Sequence, residues 1–146
     1  MAHVRLFRHY IHLPFVILGL IDLIVMGLAF ALAVFFRFFG ELEFFLENLF
    51  FVLPSITIFA LFNLIVMIAL GVHQSRVEEG MSGMMLRTIM AMILAIPLHG
   101  FAYFVADDWL WYLGSFGLLT SATVLAIFSL GIARMVFFAV VGKDRF

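Results

Sequence analysis

The sequence predicts an all-α fold: an integral membrane four-helix bundle that is preceded by a short amphipathic interfacial helix. Composition supports this class, because 66% of the 146 residues are hydrophobic and only 12% are charged, whereas soluble domains contain about 50% apolar and about 25% charged residues. The distribution of charge supports it as well, since four long stretches carry almost none. Together these observations exclude a water-soluble core.

The four apolar stretches are bounded by charged residues. They lie between Arg8 and Arg37 (28 residues), Glu47 and Arg76 (28 residues), Arg87 and Asp107 (19 residues), and Asp108 and Arg134 (25 residues), and Asp22 is the only formal charge inside them. A membrane-spanning helix needs about 20 apolar residues, so each stretch holds one helix and none holds two. We expect the spans at about 13–36, 49–72, 86–105 and 111–133.

Basic residues mark one side of the predicted bundle. We assign the following residues to the membrane interface: Arg5, Arg8, Arg37, Arg76, Arg87, Arg134, Lys143 and Arg145. Seven of these eight fall on the side that an even number of spans gives to both chain ends, and Arg37 alone falls on the other side. Because short basic loops stay in the cytosol, both termini are predicted to be cytosolic.

Three segments follow from this topology. They are an amphipathic interfacial segment at 1–12, a four-transmembrane-helix domain at 13–142, and the start of a cytosolic continuation at 143–146. In the first segment, Val4, Phe7 and Ile11 recur with helical spacing, which is typical of a helix that lies in the headgroup region. A frayed basic tail is the alternative interpretation.

An intramembrane polar layer is the strongest candidate site. Asp22 lies inside span one, where a carboxylate is costly and usually has a partner or a function. Counted at about 1.5 Å per residue from the inner ends of their spans, Asn63 and Thr123 come to a similar depth. The layer could serve as a proton or ion relay, or it could be a hydrogen-bonded device that fixes the packing and register of the helices.

Other chemistry-bearing residues are sparse. Pro97 is expected to kink span three toward a polar neighbour of His99, and a lone histidine in that position is more often structural than a metal ligand. The chain has no cysteine, which excludes disulfides and thiolate chemistry. We see no metal-ligand set and no catalytic dyad, and the basic residues form no patch suited to nucleic acid.

Several single residues resemble one family. They are the opening Val4-Arg5-Leu6-Phe7-Arg8-His9-Tyr10, Asp22 in span one, Arg37 at its end, Gly71-Val72-His73-Gln74 after span two, Arg87 opening span three and Arg134 closing span four. In these features the whole chain resembles the amino-terminal membrane region of bacterial polyprenyl glycosylphosphotransferases, in particular exopolysaccharide sugar transferases of the exosortase-associated type. His73 departs from the pattern, since the family often has tyrosine there.

The resemblance implies a function for the region but no chemistry within it. In the family, a cytosolic catalytic domain moves a sugar phosphate from a nucleotide sugar to undecaprenyl phosphate, with an acidic dyad and magnesium. None of those catalytic residues maps onto this chain, which ends about where the soluble domain would begin. The resemblance therefore implies a truncated, non-catalytic anchoring and assembly module in the bacterial inner membrane, with no cofactor of its own.

The resemblance also implies partners for the chain, and two rival functions remain. The partners are membrane lipids, undecaprenyl phosphate, a cytosolic catalytic domain in cis or in trans, and further copies of the chain; nucleic acid is not expected. One rival is a stand-alone small membrane protein, a transporter or ion-linked subunit built around Asp22. Another is a structural partner in a polysaccharide export complex, which shares every sequence feature with the anchoring module.

Overall fold

The computed structural model describes residues 3–6, 9–72, 80–106, 112 and 115–141. Its elements are β1 (His3–Leu6), β2 (His9–His12), α1 (Leu13–Val34) continued by a π-helix (Phe35–Phe39), α2 (Leu42–Glu47), α3 (Leu49–Ala69), α4 (Gly80–Ala106) and α5 (Phe116–Val141). The long uncharged stretches of the sequence account for the long helices. In hydrocarbon, the backbone polar groups of such a stretch can be satisfied only within a helix or a closed barrel.

Within the described residues, four helices are long and apolar enough to cross a membrane. The four segments are Val16–Phe38, Leu49–Ala69, Ser82–Ala106 and Phe116–Phe137. This confirms the predicted four-helix bundle and indicates a multi-pass membrane protein.

The four long helices form a closed ring. α1 packs against α3 and α5, and α4 packs against the same two helices, so α1 and α4 lie diagonally across the bundle. α1 and α5 run antiparallel, because Asp22 meets Arg134 while Arg37 meets Gly117. We call the end where α1 begins and α5 finishes the near end, and the end that carries α2 the far end.

Small side chains line much of the interior. Six alanines that recur four residues apart are buried: Ala29 and Ala33, Ala91 and Ala95, and Ala122 and Ala126. Small residues with this spacing let helix backbones approach closely in a membrane. Larger rings fill the remaining space, and Phe30 of α1 lies 4.8 Å from Phe59 of α3, measured between ring centroids.

A Schellman motif ends α3. Gly71 has a positive φ of 70°, its N–H bonds to the carbonyl of Ile68, and the N–H of Val72 bonds to the carbonyl of Met67. Glycine adopts this left-handed conformation without the steric cost that a Cβ imposes. The motif ends α3 at the near end, where Val72 remains buried.

The amino-terminal prediction is wrong in its secondary structure. In place of an interfacial helix, β1 and β2 form an antiparallel pair in which His3 lies opposite His12. His3-Val4-Arg5-Leu6 alternates polar and apolar residues, which fits a strand as well as the longer pattern fits a helix. A short segment also gains little from helix formation, since nucleation is costly.

Two span boundaries and one element also differ from the sequence prediction. α4 begins at Gly80, not near 86, and α5 extends from Phe116 to Val141 in place of 111–133. The charge pattern predicts that these spans end at arginines, but the helices continue past Arg87 and Arg134. The short helix α2 in the far-end loop was not predicted.

Candidate functional site

A buried ion pair links the first and last helices. Arg134 of α5 donates from Nη2 to Oδ2 of Asp22 in α1 at 2.9 Å, and both side chains have a relative exposure of 0%. Its Nη1 donates to Thr88 Oγ1 of α4 and lies 3.5 Å from the carbonyl oxygen of Met84. We call Asp22, Thr88 and Arg134 the charge cluster.

The three members of the charge cluster lie at similar depths from the near end. Asp22 is nine residues after Leu13, Thr88 eight after Gly80, and Arg134 seven before Val141. At about 1.5 Å per residue these positions are about 14, 12 and 10 Å from the helix ends. Charges at such depth are stable in a membrane when they pair with one another.

Thr88 completes the cluster as both acceptor and donor. Its hydroxyl accepts from Arg134 and donates to the carbonyl of Met84 at 2.8 Å. The hydroxyl thus links the guanidinium to the backbone of α4 through two hydrogen bonds. Because Arg134 reaches both Asp22 and Thr88, one side chain of α5 connects the two diagonal helices.

A second polar contact joins α3 and α4. His99 Nδ1 lies 2.6 Å from the carbonyl oxygen of Ala95; a carbonyl only accepts, so this nitrogen carries a proton. In the neutral imidazole, Nε2 is then an acceptor, and Asn63 Nδ2 lies 3.3 Å from it. Asn63 Nδ2 also donates to the carbonyl of Phe59 at 2.8 Å. We call Asn63 and His99 the histidine pair.

Aromatic rings enclose the histidine pair. The His99 ring centroid lies 5.1 Å from that of Phe59 and 5.8 Å from that of Phe62. The carbonyl of Phe59 is also 3.4 Å from Nε2. This setting suits a hydrogen-bonded structural histidine, which was the favoured interpretation of His99 from the sequence.

The predicted polar layer is divided between different sites. Asp22 pairs with Arg134 in the charge cluster, Asn63 bonds to His99, and Thr123 donates to the carbonyl of Leu119 in its own helix at 2.8 Å. Pro97 lies inside α4, which remains helical through Ala106. The neighbour that sequence reasoning expected for His99 is therefore Asn63.

Two residues assigned to the interface belong inside the helices. Arg134 is fully buried, and the corrected extent of α5 places it well before the helix end. Sequence reasoning missed its pairing with Asp22, although Met135–Val141 contains only apolar residues and signals that the span continues. Arg87 is half-buried, seven residues into α4.

Arg37 lies at the far end of the bundle. Its side chain is exposed and its guanidinium packs over α5, where a Cβ added to Gly117 would come within 3.1 Å of Nη2. Phe38 next to it makes an edge-on contact with Tyr112 at 5.5 Å, and burial raises the pKa of the Tyr112 hydroxyl. Of the remaining topology residues, Arg5 lies in β1, while Arg8, Arg76, Lys143 and Arg145 fall outside the described residues.

The geometry supports structural roles for both polar sites. Across the described part of the chain, no group of three or more His, Cys, Asp or Glu residues could hold a metal ion. The two formal charges that are fully buried there, Asp22 and Arg134, neutralise each other. Comparison with protein families, with curated proteins and with solved structures finds no match.

Proposed function

We propose that this chain is a non-catalytic membrane-anchoring and assembly module of a sugar transferase. The transferase moves a sugar phosphate from a nucleotide sugar to undecaprenyl phosphate in exopolysaccharide biosynthesis. Its catalytic domain, supplied in cis or in trans, uses magnesium. In this proposal the module lies in the bacterial inner membrane with both termini in the cytosol, and it binds membrane lipids, the polyprenyl carrier and further copies of itself.

The observation that carries the anchoring role is the ion pair between Asp22 and Arg134. A catalytic or transporting carboxylate needs access to its substrate, whereas both members of this pair are fully buried and are directed at each other. Asp22 and Arg134 are also two of the residues on which the resemblance to the sugar transferases rests. Their pairing supports the proposal that this chain, like the membrane region of those transferases, depends on a fixed arrangement of its helices.

The even number of spans supports the location of the catalytic partner. α1 begins and α5 finishes at the near end, so whatever is joined to either helix is held at the same membrane surface. Nucleotide sugars are cytosolic, and the excess of basic residues near this end favours the cytosolic side. The module would then hold the catalytic domain at the membrane surface, where the lipid carrier can be reached.

A chimeric enzyme tests this function. In a polyprenyl-phosphate sugar transferase of known donor, the native four-span region is replaced by this chain, and transfer of radiolabelled sugar phosphate into the lipid fraction is measured in isolated membranes. An unrelated four-span bundle in the same position is the matched control. We expect this chain to restore transfer well above that control at equal membrane levels; equal activity of the two chimeras contradicts the proposal.

The rival function is ion or solute transport around Asp22. The intramembrane carboxylate favours it, and its salt bridge to Arg134 disfavours it, because the negative charge is already neutralised. Purified chain in proteoliposomes with a pH-sensitive dye separates the two. A proton flux that Asp22→Asn abolishes would establish the rival, and the anchoring proposal expects none.

A further inference from the structure

The first and last helices carry complementary single charges. α1 contains Asp22 as its sole formal charge, and α5 contains Arg134 as its sole formal charge. The two helices run antiparallel, and the two residues come to similar depth from the near end. Each charge is therefore the counter-ion that the other helix needs.

Arg134 lies inside the apolar part of α5. The seven residues that follow it, Met135–Val141, are all apolar. A shift of α5 that brought the guanidinium to the interface would carry this apolar run out of the membrane. An unpaired charge inside a span disfavours the inserted helix.

Apolar packing alone does not select a helix partner in lipid. Lipid tails are as apolar as the side chains that face them, so association depends on close packing and on polar contacts. The ion pair, reinforced by Thr88, is the strongest polar contact that α5 makes in the described part of the chain.

We propose that the charge cluster is an assembly checkpoint: α5 docks when Arg134 is matched by Asp22, and it stays undocked when either charge is left facing lipid without the other. Because a small loss of stability can lower the cellular abundance of a protein several-fold, such a chain is depleted from the membrane. This inference holds whatever domain the bundle anchors, so it is independent of the proposed function.

Cysteine cross-linking in native membranes provides a direct readout. The chain contains no cysteine, so any disulfide within it forms between the two introduced cysteines. Met26 and Leu130 are fully buried and lie one helical turn beyond Asp22 and Arg134, in α1 and α5 respectively. The reporter chain carries Met26→Cys and Leu130→Cys, and oxidation by copper phenanthroline measures the docking of α5 on α1.

Four charge variants are placed in this reporter chain. They are Asp22→Asn, Arg134→Gln, the neutral double variant Asp22→Asn with Arg134→Gln, and the exchanged pair Asp22→Arg with Arg134→Asp. The exposed far-end residue Glu43 of α2, changed to Gln, is the matched control for loss of a charge. Membrane abundance and cross-linked fraction are measured for each variant.

The pattern across the variants decides the proposal. We expect each single variant to lose about tenfold in cross-linking and to be depleted from the membrane. The neutral double variant should return to within about twofold of the reporter chain, since it buries no unpaired charge. Single variants that dock like the reporter chain overturn the checkpoint, as does a neutral double variant no better than the singles. If the single variants are too scarce to measure, the neutral double variant and the exchanged pair still decide: both should remain in the membrane and cross-link well above either single variant, and two variants as scarce as the singles overturn the checkpoint.

Discussion

The charge cluster and the histidine pair hold the same bundle in different ways. The cluster joins three helices through a salt bridge and a hydroxyl, near the end where the chain enters and leaves. The histidine pair joins two helices through neutral groups, and its contact at 3.3 Å is long. Along α4, Thr88 and His99 are 11 residues apart, which corresponds to about 16 Å.

The difference shows where this bundle needs polar contacts. α1 and α3 meet through apolar groups, with Phe30 against Phe59 and Gly27 close to Ile56. α4 has the smallest buried share of the four spans, and both polar sites reach it. The salt bridge itself joins α1 and α5, the two spans with the largest buried share. Polar contacts thus occur both in the most buried and in the least buried part of the bundle.

Loss of one charge should have the largest effect on stability. Arg134→Met leaves Asp22 buried without its cation, and we expect the free energy of unfolding to fall by about 3–5 kcal/mol. Reversible unfolding in mixed micelles measures it. The control is Glu43→Met, which removes an exposed charge of α2; a loss no larger than that of the control contradicts the ranking of the two sites.

The hydroxyl of the charge cluster should matter less than its charges. Thr88→Val keeps the shape and removes one acceptor of Arg134, leaving the Met84 carbonyl at 3.5 Å. We expect a loss of about 1–2 kcal/mol in the same unfolding measurement. Thr57→Val is matched to it, because Thr57 is exposed and bonds only to the carbonyl of Leu53 in its own helix. Equal losses for the two variants would show that Thr88 does not support Arg134.

The histidine pair should contribute less than the charge cluster. Asn63→Leu removes the donor to His99 Nε2, and interhelical hydrogen bonds in membranes contribute about 0.6 kcal/mol on average and about 1.7 kcal/mol at most. Thr120→Val, which changes an exposed hydroxyl that bonds within α5, is the control. A loss larger than that of Arg134→Met would contradict this ranking. It would make the histidine pair the more stabilising of the two polar sites.

The helices could be predicted from the sequence because each lies in a long uncharged stretch. The number of spans and their order follow from that pattern, and the structure confirms them. The boundaries of α4 and α5 could not be predicted in this way, since the charge pattern places the end of a span at an arginine. That rule fails at Arg134, because a partner in another helix makes burial of the charge tolerable.

The sequence singles out Asp22, Asn63 and His99 but neither Thr88 nor a buried Arg134. Depth along each helix selects Asp22 and Asn63, and both are buried in the bundle. Depth does not specify which face of a helix a side chain occupies, so it placed both with Thr123 in a single layer. The ring order of the helices decides these contacts, and it depends on packing between segments far apart in sequence.

The smallest effect should come from the two glycines that lie near these sites. A Cβ at Gly131 would come within 3.0 Å of Met85 Cε, whereas a Cβ at Gly100, next to His99, meets nothing within 4 Å. We expect Gly131→Ala to cost less than about 1 kcal/mol, because the end of a methionine side chain can move. Gly100→Ala should be neutral or gain up to about 1 kcal/mol from helix propensity. The same unfolding measurement compares them. A loss at Gly131 alone would show that close approach of α4 and α5 supports the charge cluster, while equal values would mean that the cluster tolerates a wider separation of these helices.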